Sequence, residues 1–159
     1  MGNTRNRGVT LVEMLIAITM LAIIVSVAIV PAATYYRQRA VQGASDRFTT
    51  AHTLARSAAM QYGRLAEFHI DAANGRFWVE VDTGAVGGAR DTMGFLKDIG
   101  DVIISTGGIS LLCFDPRGLP STGQTSLGQA CEGPAGDVTF TLGSRVDTVT
   151  VTVLGKVLR

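Results

Sequence analysis

Histidine and cysteine are scarce in this 159-residue chain, two of each, and their scarcity removes much of the chemistry a small protein can carry. His52 falls in helical sequence and His69 in a strand pattern, with no second His and no Glu at ligand spacing beside either. Both read as surface or partly packed side chains. Cys113 and Cys131 with two distant histidines do not make zinc spacing. The chain has no Gly-x-Ser-x-Gly elbow and no glycine loop leading into a helix to cradle phosphate, since Gly87-Gly88 lies in loop-like sequence. Asp91, Asp98 and Asp101 lack the spaced oxygen ligands of a calcium loop, and solvation accounts for them. No catalytic residue, metal or cofactor is expected, and the chain is not read as an enzyme.

Strong charge is missing as well. The formal net charge is +1, which implies no polyelectrolyte partner. From Arg64 onward eight Lys or Arg stand against eleven Asp or Glu, a net −3, so this part as a whole lacks the basic footprint of a nucleic-acid binder.

What the sequence has is one long apolar run. From Val9 to Val30 the only charged residue is Glu13. These 22 residues make about 33 Å of helix, enough to cross the core of a bilayer. A carboxylate in such a run costs roughly 2.5–3.5 kcal/mol at mid-membrane, and less near an interface. A cut after Gly8 would leave Glu13 one helical turn from a new α-amino group, where it could pair with the amine of a neighbouring copy.

The basic leader ending in Gly8, followed by Val9-Thr10-Leu11-Val12-Glu13-Met14-Leu15-Ile16-Ala17-Ile18, resembles the class III signal of type IV pilins and type II secretion pseudopilins. The resemblance implies that a prepilin peptidase cuts between Gly8 and Val9, that Val9 becomes the N-methylated terminus, and that Glu13 guides assembly. One departure is Val9 itself, where the family usually has Phe or Met. An ordinary secretory signal would also set Arg5 and Arg7 before an apolar stretch, with Ser26-Val27-Ala28 as a small-residue cleavage site. A Glu inside the apolar segment, and helical sequence continuing beyond it, fit an uninterrupted stalk better. With the leader removed, 12 basic residues face 13 acidic ones. Because Arg37 and Arg39 follow the run just as Arg5 and Arg7 precede it, the leader and not the charge balance sets the expected orientation.

Beyond Pro31, where a kink is expected, the pattern from Ala32 to about Tyr62 turns amphipathic. Phe48, Ala51, Leu54 or Ala55, Ala58 and Tyr62 recur at helical spacing, while Arg37, Gln38, Arg39, Arg47 and Arg56 stay solvated. The two halves make one helix of roughly 80 Å, a strut suited to a bundle of related subunits. Ala66–Asp71 and Arg76–Asp82 alternate apolar and polar around Asn74-Gly75, a β-hairpin. Thr83 to Asp101, with five glycines and mixed charge, reads as a long surface loop. Short buried strands follow at Val102–Ser105 and Ile109–Phe114, then a Pro/Gly turn through Leu119 and a Gly/Ser/Thr-rich excursion from Ser121 to Gly136 holding Cys131. Val138, Phe140 and Leu142 share a face, as do Val149, Val151 and Val153, across a turn at Gly143-Ser144, and the last strand runs to the C-terminus. In a part expected to lie outside the cytoplasm, the even cysteine count invites a Cys113–Cys131 disulfide, against two independent buried thiols.

The helix ending in Leu54-Ala55-Arg56-Ser57-Ala58-Ala59-Met60, the Trp78-containing strand, the Phe114 turn with its glycine, and the closing strand with its basic tail resemble the GspH/FimT group of minor pseudopilins and minor pilins. The expected fold is therefore α+β and pilin-like, one long N-terminal helix packed on a small antiparallel β head. Its expected segments are a cleaved leader at 1–8, a transmembrane helix at 9–31, an amphipathic continuation at 32–62 and a periplasmic head at 63–159. The resemblance implies a structural subunit held in the inner membrane by a single span before entering a secretion pseudopilus or pilus. Its implied partners are lipid, prepilin peptidase, an inner-membrane assembly platform and other pilin subunits. The alternative is a minor pilin that catches DNA during natural transformation, through a basic patch of Arg145, Lys156 and Arg159.

Overall fold

The structure, a computed structural model, describes residues 9–84, 89–125, 127–133 and 136–158; the side chains of 28–31 and 95–97 stand outside that description. The leader with Gly8, the Gly87-Gly88 pair and Arg159 all lie outside the described residues. The architecture is α+β, a long N-terminal helix followed by antiparallel sheets, as the sequence pattern implies. The chain divides into two compact units, Met1–Tyr36 and Arg37–Arg159.

Helix α1 runs from Leu11 to Tyr62, 52 residues, and Pro31 falls within it. It starts where the sequence supplies a cap. Thr10 stands three residues before Glu13, and its Oγ1 accepts a hydrogen bond from the Glu13 amide at 3.2 Å. Farther along, the hydroxyls of Thr19 and Ser26 donate to the carbonyls of Ile16 and Ile23 at 2.9 and 2.8 Å, which satisfies polar groups in an otherwise apolar segment.

In the second unit the helix carries a buried stripe of Val41, Ala44, Phe48, Ala51, Ala55, Ala58 and Ala59, with Ser45 and His52 beside it. Small side chains let the backbone approach the sheets, and Phe48 fills the space between them. Its ring lies 5.2 Å from Phe68, 5.9 Å from Phe77 and 5.6 Å from Phe140. The expected docking face holds except at its end. Tyr62 is half exposed, because Ala59 completes the stripe and Gly63, at φ +62°, turns the chain out of the helix.

Two antiparallel sheets complete the unit. Strands β1 (Ala66–Asp71), β2 (Arg76–Asp82), β3 (Arg90–Asp98), β5 (Leu111–Phe114) and β6 (Pro120–Ser121) form one, in the order β3-β2-β1-β5-β6. Strands β4 (Ile103–Ser105), β7 (Gly136–Leu142), β8 (Arg145–Val151) and β9 (Val157–Leu158) form the other, in the order β4-β7-β8-β9. Phe68 and Phe77 come from the first sheet and Phe140 from the second, so Phe48 is where helix and both sheets meet.

Two expectations are overturned here. Arg90–Asp98, read as part of a loop, is a nine-residue strand paired along β2. An irregularity in register between Phe77 and Val79, near Gly94 at φ +76°, breaks the period-two pattern that would have revealed it. The final strand is also shorter than expected. It ends at Val151, leaves Val153 exposed, turns through Gly155 at φ +68°, and returns as β9 to pair with Thr150 and Val151.

The excursion after β6 is tied down at two points. Cys113 and Cys131 form a disulfide with Cα atoms 5.6 Å apart. Beside it, the Glu132 carboxylate accepts from the Ser110 and Leu111 amides and the Ser110 hydroxyl.

Candidate functional site

Two regions carry groups whose environment calls for explanation. The first is the start of α1. Every described side chain from Val9 to Val27 is exposed, Leu11 at 82% and Val27 at 73%. Such a length of uncovered apolar surface is not a stable end state in water. Glu13 is the one charge in it, in the first turn, where a carboxylate also favours the positive end of the helix dipole.

The second region is a charged cluster on the β1–β2 hairpin. Glu67 and His69 sit two apart on β1 and share a face; Glu80 lies directly opposite Glu67 on β2. The His69 Nε2 atom is 3.2 Å from Glu67 Oε2 and 3.4 Å from Glu80 Oε2. Arg90, on β3, brings Nη1 to 2.9 Å from Glu67 Oε2 and 3.5 Å from Glu80 Oε2. The Glu67 side chain is completely buried, and neither of its oxygens, nor His69 Nε2, takes part in a hydrogen bond. Trp78 holds the arrangement from outside: its ring stacks on His69 at 4.9 Å with 5° between planes, and its Nε1 donates to Glu80 Oε1 at 2.8 Å. A cleft of about 510 Å3, lined by His69, Trp78, Asp71, Ser110 and Gln129 among others, opens beside the rings.

The first 29 residues decide the broader class. Residues 3–29 match the family described as the prokaryotic N-terminal methylation motif. The chain carries the type IV pilin and pseudopilin signature. No curated protein and no solved structure matches it. Within that signature, the motif implies processing by prepilin peptidase, assembly with other pilins and anchoring in a membrane.

The remaining candidate residues fall as follows. Val9 lies two residues before α1, and Glu13 stands in its first turn. Arg145 opens β8, whereas Lys156 lies beyond its far end, so a strand of about 20 Å separates them. They do not form one patch. Asp91 and Asp98 belong to β3, and Asp98 pairs with Arg76 at 3.7 Å.

Both histidines differ from their expected settings. His52 is 2% exposed, edge-on to Phe114 at 5.0 Å and Phe68 at 6.3 Å, and its Nε2 makes no hydrogen bond. Burial lowers its pKa from 6.5 to about 4, and the Arg56 charge acts in the same direction. His69 has two glutamates in reach, contrary to the expectation of none. The signal for this lay in the hairpin register. A two-residue Asn74-Gly75 turn would set Glu67 opposite Asp82; the four-residue connection observed pairs Asp71 with Arg76 and brings Glu80 there instead.

Proposed function

We propose that this protein is a minor pseudopilin or minor pilin of the GspH/FimT group, a structural subunit of a type II secretion pseudopilus or a type IV pilus. In this reading residues 1–8 are removed after Gly8, and Val9 becomes an N-methylated terminus. Residues 9–31 hold the precursor in the inner membrane as a single span, 32–62 continue the helix, and 63–159 form a periplasmic head. The observation that carries it is the methylation motif over residues 3–29, joined to a lone carboxylate on a helix whose described apolar side chains from Val9 to Val27 are exposed. The group assignment draws its support from the helix leading into a hairpin that contains Trp78, and from the turn after Phe114.

The mechanism is electrostatic and hydrophobic. A carboxylate in lipid is costly while unpaired, and cheaper beside an ammonium group. Glu13 therefore favours the one axial register in which it meets a neighbour's Val9 amine, while the apolar stalks exchange lipid contacts for contacts with each other as an assembly platform lifts them out. The test is direct. Mass spectrometry of the native protein should find N-methylated Val9 as the terminus. Glu13→Ala should reach the membrane at normal levels yet be missing from sheared fibres. Retention of Met1, or wild-type amounts of Glu13→Ala in fibres, refutes the proposal.

DNA capture is the weaker reading, since Arg145 and Lys156 lie at opposite ends of β8 and the head is net acidic. A salt-dependent gel shift with the purified protein would favour it.

A further inference from the structure

We propose that Glu67, His69 and Glu80 form a binding site for a divalent transition cation of the zinc type, which Arg90 fills when metal is scarce. Each of Glu67, His69 and Glu80 offers one ligand atom, and the three lie within 4.8 Å of one another. Around a tetrahedral ion with bonds of about 2.0–2.1 Å, neighbouring ligand atoms stand about 3.3–3.4 Å apart. The two edges that meet at His69 measure 3.2 and 3.4 Å.

The electrostatics favour a cation at this point. A neutral imidazole turning its Nε2 lone pair toward two carboxylate oxygens is repelled by both. Nε2 has no hydrogen-bond partner among the described residues, although two carboxylate oxygens lie 3.2 and 3.4 Å from it. Glu67 is fully buried, and its carboxylate likewise accepts no hydrogen bond, so its charge is met only by the close approach of Arg90 Nη1 and His69 Nε2 among the described residues. A metal ion among the three atoms would satisfy the lone pair and both oxygens together. One imidazole and two carboxylates suit zinc or manganese, and leave a fourth position toward Arg90 for water or another donor.

The surroundings have the form of an outer shell that orients metal ligands. Trp78 fixes the plane of the His69 ring by stacking, and by donating to Glu80 Oε1 it leaves Oε2 turned toward the cluster. The cleft beside His69 and Trp78 provides a route from solvent. Arg90 is the competitor. Its Nη1 contacts the same two carboxylate oxygens, so metal entry requires the guanidinium to withdraw.

The experiment uses the tag-free full chain in detergent, stripped with chelator and titrated with Zn2+, Mn2+ and Ca2+ by calorimetry. A second titration with Co2+ follows quenching of Trp78, the single tryptophan. One equivalent of Zn2+ should bind, Co2+ should quench Trp78 saturably, Zn2+ should compete with that quenching, and Ca2+ should bind far more weakly. His69→Ala, checked for folding by circular dichroism, should lose the binding. Arg90→Gln should bind Zn2+ at least about tenfold more tightly, because a positive charge close to the ion is gone. It should also melt lower than wild type in chelator and recover in Zn2+. If Glu67 substitution prevents folding, the His69 and Arg90 variants still decide the matter. The proposal is overturned by absence of stoichiometric Zn2+ binding, by binding that survives His69→Ala, or by an Arg90→Gln protein whose affinity and melting point ignore Zn2+. In each of those cases Arg90 is the resident cation and the cluster is an ion-pair network alone.

Discussion

Acidification from pH 7 to pH 5 should destabilise the head chiefly through His52. In the folded protein it sits among Phe68 and Phe114 with its pKa lowered to about 4; unfolded, it returns to 6.5. The unfolded chain therefore binds the proton first, and the stability this group contributes, complete above pH 6.5, is lost as pH falls from there through 4. Linkage with these two values gives a loss of about 1 kcal/mol at pH 6, about 2 at pH 5 and about 3 at pH 4. For a domain of this size, 2 kcal/mol is a large part of the total.

The assay is denaturant unfolding of the full chain in mild detergent, followed by Trp78 fluorescence at pH 7, 6, 5 and 4, for wild type and His52→Leu. The difference between the two isolates the histidine, because carboxylates titrate in both. Asp71 and Asp115, held low mainly by hydrogen bonds from Asn74 and from the Leu119 amide, are among those shared groups. Wild type should lose about 2 kcal/mol more than His52→Leu between pH 7 and pH 5. Near neutrality the variant should be about as stable as wild type or more so, since it removes a buried nitrogen without a hydrogen bond. Profiles that run parallel to within about 0.5 kcal/mol from pH 7 to pH 4 would refute the assignment of the acid sensitivity to His52.

Three further outcomes follow from packing and covalent structure. Phe48→Ala, which empties the point where helix and both sheets meet, should cost about 3–5 kcal/mol in equilibrium unfolding; a cost under 1 would mean the helix does not pack as described. The Cys113→Ser/Cys131→Ser protein should lose about 3 kcal/mol, the loop-closure value for a separation of 18 residues, and wild type unfolded with reductant should match it. Gly155→Ala should cost about 1–2 kcal/mol, read as a lowered melting midpoint, because the residue sits at φ +68° and a Cβ there would stand 2.7 Å from Pro120 Cγ.

The parts of the fold legible in the sequence are those where one period persists. The apolar run, the stripe from Phe48 to Ala58, the 66–82 hairpin and the 138–151 hairpin each repeat a spacing over enough residues to set a face. Where the period breaks, the reading failed. The β3 strand has charged residues at both ends, Arg90, Asp91, Lys97 and Asp98, and its pairing with β2 shifts register near Gly94, so no single spacing persists along it. The tail reads as continuous strand because Val149, Val151 and Val153 alternate, yet Gly155 reverses the chain and Thr152 Oγ1 accepts from the Lys156 amide, closing a turn that composition did not announce. The charged cluster was hidden for another reason. Its members lie on three strands, and only the exact hairpin register brings Glu67 opposite Glu80, while Arg90 arrives on the strand that was read as a loop.

The division of the chain into two units separates two kinds of failure, loss of assembly and loss of fold. The buried core runs from Val41 to Val151 and includes no residue of the first unit. The described apolar side chains from Val9 to Val27, by contrast, are all exposed, a surface that favours an apolar environment over water. A change at Glu13 removes no member of that core, whereas a change at Phe48 or His52 leaves the Glu13 carboxylate in place. Glu13→Ala should melt like wild type while failing to assemble. A head variant that still folds at the assay temperature should assemble despite a lowered midpoint. A Glu13 variant that lowered the melting point of the head would mean that the two units share stability, and its absence from fibres could then no longer be assigned to the lost charge.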